Sequence, residues 1–166
     1  MKYTKGNKEL TAGILGYFWR ESFCQSDVVA GAYLLGPNHA TELNQEFKQI
    51  IDKGLADGSS RDYFIHALRY QYGGYGLGQW SSLSYNNELF DFAQKWGTSI
   101  ADAEMQCAFT VKSIKEHPTE LWELIQYETN VLEIGRYIGI YYDGSTFGAK
   151  MIASKAEEYY KKYGTL

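Results

Sequence analysis

Apolar positions recur at helical spacing along most of the chain. Leu10, Ile14, Tyr17 and Phe18 fall on one side of a helix covering roughly residues 8 to 23, followed by a loop bearing Gly, Asp and Ser. After Gly36 and Pro37, the run from Thr41 places Leu43, Phe47, Ile50 and Ile51 on one face, and Gly54 is the expected C-terminal cap. Ser59 or Ser60 is positioned to cap a short segment through Tyr63, Phe64, Ala67 and Leu68, helix or strand by its content. Ser84 and Ser99 each precede a further apolar helical run, and Gly97 ends the first of these. Pro118 suits the first turn of a helix through Leu121, Leu124 and Ile125. Asn130 caps one running through Ile134 and Ile138 to Tyr142, and a last helix extends from about Thr146 to Lys161, Lys162 and Gly164. Residues 72–83, YGGYGLGQWSSL, break this pattern: four glycines demand a tight, close-approaching backbone.

Composition agrees with a mainly α fold. The 166 residues hold only 2 Pro, and the length suits one domain over 1–166. Tyr (15), Phe (8) and Trp (4) bring the aromatics to 16%, a bias that suits a groove for sugars or another flat polar ligand. A formal charge of -4 disfavours a duplex nucleic-acid partner, which requires many phosphate contacts. No stretch approaches the roughly 20 apolar residues of a membrane span. The polar start, Met1 to Lys8, lacks the apolar core of a secretory signal, and the sequence leaves open whether the chain is a free protein or a slice of a longer tail or transfer protein. Cys24 and Cys107 either pair or remain as two buried thiols, and their spacing predicts no metal site. His66, on a half-buried face of its segment, reads as a structural histidine, whereas His39 and His117 carry no spacing signal.

One carboxylate departs from the amphipathic logic. With about 100° per residue and Leu10 at zero, Ile14 lies at about 40°, Tyr17 at about -20°, Phe18 at about 80° and Glu21 at about 20°. Glu21 therefore sits within the apolar stripe. Desolvation disfavours a charged carboxyl, raises its pKa and makes it a candidate general acid. The alternative is that the helix ends near Glu21 and the side chain reaches solvent or pairs with Arg20.

The segments AGILGYFWRES, SRDYFIHA, GYGLGQW and LFDFAQKWGTSIADAEMQCAF, followed by a helical tail, together resemble the phage tail lysozyme family across nearly the whole chain. The resemblance implies a lysozyme-like α+β fold: a helical bundle around the Glu-bearing helix, with a small irregular or β-rich lobe flanking a cleft. It implies that Glu21 protonates the β-1,4 glycosidic oxygen between N-acetylmuramic acid and N-acetylglucosamine. Gln79 would border the cleft, Gly76 would let the backbone approach the saccharide, and Tyr75 and Trp80 would stack or wall it, core packing being the alternative for both. Ser22 would bond near Glu21 or cap the helix. Asp52 and Asp62 are the weak candidates for a second carboxylate; without one, the muramic hydroxyl can close a 1,6-anhydro ring, so transglycosylation stays open.

No cofactor is implied. The partner implied is the peptidoglycan glycan strand, reached from a virion tail or at the cell wall. Three places differ from the family pattern: His66 and Ala67 after SRDYF, Ser81 to Tyr85 after Trp80, and Tyr142, Asp143, Gly144 in place of Tyr-Glu-x-Pro. These departures keep a second reading alive, a catalytically inactive glycan-binding or structural tail module.

Overall fold

The computed structural model describes residues 2–34, 37–116 and 119–164. The α-helices are α1 (Lys8–Ser22), α2 (Pro37–Lys53), α3 (Arg61–Ala67), α4 (Leu83–Trp96), α5 (Ala103–Glu116), α6 (Thr119–Ile125), α7 (Val131–Tyr137) and α8 (Thr146–Tyr163). A 3₁₀ turn, Ala30–Leu34, precedes α2, and π-helical turns, Leu68–Tyr72 and Ile138–Tyr142, extend α3 and α7. The fold is mainly α. Among the described residues the β structure amounts to two isolated antiparallel bridges, Val29 with Tyr75 and Tyr75 with Trp80. The described residues contain no β strand, because glycines around Tyr75 leave no run long enough for one. No helix among the described residues is long and apolar enough to cross a membrane.

The chain divides into two compact units, residues 1–24 with 110–166, and residues 25–109. In the first unit, Asn7 caps α1 by accepting a 2.7 Å bond from the Leu10 amide. Its stripe of Leu10, Ile14, Tyr17 and Phe18 is buried, as are Ile134 and Ile138 of the α7 segment and Ala149, Ile152, Ala153 and Ala156 of α8. Small residues on α8 permit very close packing. A Cβ at Gly16 would lie 2.5 Å from the Ile152 carbonyl oxygen and 2.9 Å from the Ala156 nitrogen. One at Gly135 would lie 2.6 Å from the Ala153 Cα. Asn130 caps α7 through the Leu132 amide at 3.1 Å, and Ser145 caps α8 through Gly148 at 2.9 Å. The expected place of Pro118 in the first turn of α6 lies outside the described residues.

The second unit is organised by aromatic contacts. Phe47 of α2 meets Phe64 of α3 at 5.9 Å and Tyr75 at 5.4 Å between ring centroids, and Phe64 meets Phe90 of α4 at 5.8 Å. Several expectations shift here. The segment after Ser60 is helix, because Phe64, Ala67 and Leu68 share one buried face at helical spacing. His66 is consequently exposed, not half-buried, with its ring 4.7 Å from that of Tyr70. Ser60 uses its hydroxyl on the Ile51 carbonyl at 2.7 Å, so it ties α3 to α2 and makes no side-chain cap. Gly54 is demanded by proximity: a Cβ there would meet Ser60 N at 2.7 Å. α4 starts one residue after Ser82, which accepts from Tyr85 N at 3.2 Å, while Ser84 bonds Glu88 instead. α5 starts after Asp102, which accepts from Met105 N at 2.6 Å; Ser99 shapes the preceding turn. α2 begins at Pro37, earlier than Thr41, since a proline suits a first helical position.

The neighbours of Gly16 are backbone atoms of α8, which cannot swing aside, so Gly16→Ala forces α8 away from α1. The expected result is a loss of about 1 to 3 kcal/mol in urea unfolding at unchanged helical content. An unaltered denaturation midpoint would show that α8 can shift at no cost.

Candidate functional site

The end of α1 is unusually constrained. The Ser22 hydroxyl is fully buried and donates to the Phe18 carbonyl at 3.1 Å. Beyond it, Phe23 and Cys24 both adopt left-handed backbone angles, with φ of 52° and 61°. Their amides close the helix on the Trp19 carbonyl at 3.0 Å and the Phe18 carbonyl at 3.2 Å. Glycine usually supplies this geometry, and each non-glycine residue held there costs on the order of 1 to 2 kcal/mol. The last turn of α1, which carries Glu21, is thereby fixed in direction. Phe23 packs edge-on against Trp19 at 5.7 Å, and the Lys155 ammonium sits 4.4 Å from the Trp19 ring centre.

Glu21 follows buried Tyr17 and Phe18 by four and three residues, and its side chain is 15% exposed. It is also ion-paired with Arg20. Both alternatives read from the sequence therefore coexist: the carboxyl belongs to the apolar stripe and has Arg20 as a partner. Desolvation favours its neutral form and the guanidinium favours its charged form. The same Arg20 nitrogen, Nη1, donates to Asp143 Oδ1 at 2.9 Å. Asp143 is presented by the π-helical turn, where its amide reaches back to the Ile138 carbonyl at 3.0 Å. Its side chain is 7% exposed, and its second oxygen, Oδ2, is buried with no hydrogen-bond partner among the described residues. Burial pushes the Asp143 carboxyl up, and Arg20 opposes that rise. Gly148 leaves the space for this pair, since a Cβ would lie 2.6 Å from both Arg20 Nε and Asp143 Oδ2.

Residues Tyr75, Gly76, Gln79 and Trp80 share one loop of the second unit. Tyr75 and Trp80 exchange two backbone bonds of 3.3 Å, closing a hairpin over four residues. Gly76, at φ 70°, is needed for its conformation and for its neighbour: a Cβ would lie 2.5 Å from Gln106 Oε1. Gln79 is itself left-handed, at φ 45°. Its amide nitrogen donates to the Gly76 carbonyl at 2.9 Å and the Val28 carbonyl at 3.1 Å. Two acceptors on one atom fix the amide orientation and point its remaining function to the oxygen. Tyr75 and Trp80 are buried, at 0% and 3% exposure, against Phe64 and Phe109. Core packing is thus the contact both rings make in this structure. The Tyr75 hydroxyl is buried with no hydrogen-bond partner among the described residues, and burial, with Asp52 and Asp27 nearby, keeps it neutral.

Gln106 was not singled out by sequence reasoning. Its only signal was a polar residue inside the apolar run of Met105, Ala108 and Phe109. It is fully buried, accepts from Leu77 N at 2.8 Å, and donates at 2.8 Å to both the Ser26 and Ile100 carbonyls. One amide thus holds three segments around the glycine-rich loop. Asp52 has a similar structural role, accepting from Ser99 Oγ at 2.6 Å, Ile100 N at 2.8 Å and Lys48 Nζ at 2.9 Å. It lines a cavity of about 350 Å³ together with Gln94, Thr98 and Ser99, and no residue of the Tyr75–Trp80 loop borders that cavity. Asp62 is exposed in the first turn of α3. Cys24 and Cys107 form no disulfide, and Cys24 is exposed where a buried thiol was one expectation, because the left-handed turn lifts it off the helix end. Among the described residues no group of three or more His, Cys, Asp or Glu side chains could hold a metal ion.

Gln106→Ala removes all three bonds and leaves the Leu77 amide and Ile100 carbonyl buried without them, so a loss of about 2 to 3 kcal/mol or more is expected. Amide exchange at Leu77 should accelerate with it; unchanged protection there would mean that other contacts hold the loop. Comparison with known proteins completes the picture. No curated protein and no solved structure shows significant similarity to the chain. The sequence model for phage tail lysozymes, however, matches residues 1–163. That match spans nearly the entire chain, including the Glu21 helix and the glycine-rich loop, and the protein therefore belongs to the phage tail lysozyme family.

Proposed function

We propose that this protein, through residues 1–166, is a peptidoglycan glycosidase that cleaves the β-1,4 bond between N-acetylmuramic acid and N-acetylglucosamine. Glu21 is the general acid. The observation that carries this reading is a carboxyl 15% exposed, on the last turn of α1, held in direction by two consecutive left-handed residues. Backbone strain of that kind is maintained where a side chain must be aimed. Family membership supplies the general setting, a lysozyme-like enzyme acting on peptidoglycan.

In the proposed reaction Glu21 donates its proton to the leaving oxygen as positive charge builds on the sugar ring. Gln79, the one side chain between Gly74 and Trp80 that is not fully buried, offers its amide oxygen to a sugar hydroxyl. Gly76 keeps the backbone of this segment free of side-chain bulk. Tyr75 and Trp80 fix the loop, and Ser22 fixes the helix end. Delivery by a virion tail, or by a related injection or transfer device, fits a local opening of the wall.

A second reading is favoured by one observation. The Arg20 contact stabilises the ionised form of Glu21, which has no proton to give. A glycan-binding module without turnover would tolerate that arrangement.

A peptidoglycan zymogram separates the two. Purified protein should clear the gel, and Glu21→Gln should lower clearing by about 100-fold or more with an unchanged helical circular dichroism spectrum. Equal clearing by the variant removes Glu21 from the chemistry, and glycan affinity without cleavage at any pH establishes the binding module. Mass spectrometry of released muropeptides then distinguishes hydrolysis, which leaves reducing ends, from transglycosylation, which leaves anhydro-muramic ends.

A further inference from the structure

A general acid needs its proton, yet Glu21 lies against a guanidinium. The second carboxylate on that guanidinium resolves the conflict. Arg20 Nη1 donates to Glu21 and, at 2.9 Å, to Asp143, so one cation is shared between two acids. Asp143 is the more enclosed of the two, at 7% against 15% side-chain exposure. Its Oδ2 is buried without a partner, so nothing but Arg20 compensates an ionised Asp143 among the described residues. An ionised Asp143 is therefore held to Arg20, since without it the charge would be buried and uncompensated. Gly148 keeps the space in which the two groups meet.

We infer that Asp143 is a positioning residue for the reaction: by holding the charge of Arg20 on itself, it lets Glu21 keep the proton that the glycosidic oxygen receives. The inference rests on Glu21 being the acid. With both carboxyls ionised, the three groups carry a net charge of -1; one added proton makes them neutral. That proton has two places. On Glu21, with Arg20 paired to Asp143, it is available for catalysis. On Asp143, with Arg20 paired to Glu21, it is not. The pair titrates as a unit, and activity requires the first arrangement.

Other titratable groups on the elements packed against α1 have partners of their own or are exposed: Lys155 also sits 4.4 Å from the Trp19 ring centre, and Tyr142 lies against Tyr17 and bonds Ser113. On α8, Lys155 pairs with Glu158 at 2.5 Å, Lys161 with Glu157 at 2.9 Å, and Lys150 is exposed. On α7, Glu133 pairs with Arg136 at 2.9 Å. The Cys24 thiol lies 3.9 Å from the Tyr159 hydroxyl, and Tyr160 bonds Glu9 at 2.8 Å.

Asp143→Asn is the first test. Without its competitor, Arg20 acts on Glu21 alone and favours its ionised form. The alkaline limb of the pH–rate profile should then move about one pH unit lower, and cleavage at neutral pH should fall about tenfold. The double variant Arg20→Gln/Asp143→Asn removes both charges, leaves Glu21 with neither partner nor competitor, and should return the limb to its original position or above. It also serves if Asp143→Asn alone unfolds. NMR titration of the Glu21 side-chain carboxyl carbon should follow the same order and requires no activity. A Glu21 titration unmoved by either variant, or a loss of stability with an unshifted limb, overturns the inference and reduces the Arg20–Asp143 pair to a structural tie. Full activity of Glu21→Gln instead overturns the reading on which it rests, whatever the titration shows.

Discussion

The first unit depends on how closely α1 and α8 approach. Gly16 lies against the backbone of Ile152 and Ala156, and one turn further along α1, Arg20 faces Gly148. Residue numbers rise on one helix as they fall on the other, so the two run antiparallel along a seam of small side chains. Because the backbones nearly touch, the segment leading into α8 is brought to the end of α1, and Asp143 arrives at Arg20. A bulkier seam would separate the helices by the width of a methyl group, and the 2.9 Å bond between Arg20 and Asp143 would be out of reach.

The second unit solves a different problem, the holding of a glycine-rich loop that has little regular structure of its own. Backbone groups in such a loop must find partners one by one. Gln106 provides three bonds and Gln79 two, while Tyr75 and Trp80 supply apolar anchorage beneath. Side chains that a sequence reading assigns to substrate contact are thereby partly consumed in building the loop. The two roles are compatible only where a group has capacity left over, as the Gln79 amide oxygen does and a fully buried ring does not.

Electrostatics at Glu21 is a balance of neighbours, not a property of the helix. Burial and Arg20 act in opposite directions on its proton, and the same Arg20 nitrogen also serves Asp143. Asp143 is subject to the same opposition: burial pushes its carboxyl up, and Arg20 works against that rise. The proposed acid thus shares its guanidinium with a residue far from it in sequence.

The amphipathic periodicity alone located α1, α2, α7 and α8 to within a few residues, because helix formation and burial of one face are local consequences of spacing. It also put Glu21 on the apolar stripe and marked residues 72–83 as an irregular, close-packed segment. Cap assignments were less legible: Ser60, Ser84 and Ser99 have the right chemistry for capping, but their hydroxyls found long-range or alternative partners, and nothing local distinguishes those outcomes. The Arg20–Asp143 bond links positions 123 residues apart, and Gln106 reaches Ser26 across 80. Such pairings depend on which helices pack and how closely, which only the folded chain decides. Sequence determined which residues could be acids, donors and walls; tertiary structure decided which of them meet, since proximity between distant segments is set by the fit of side-chain volumes.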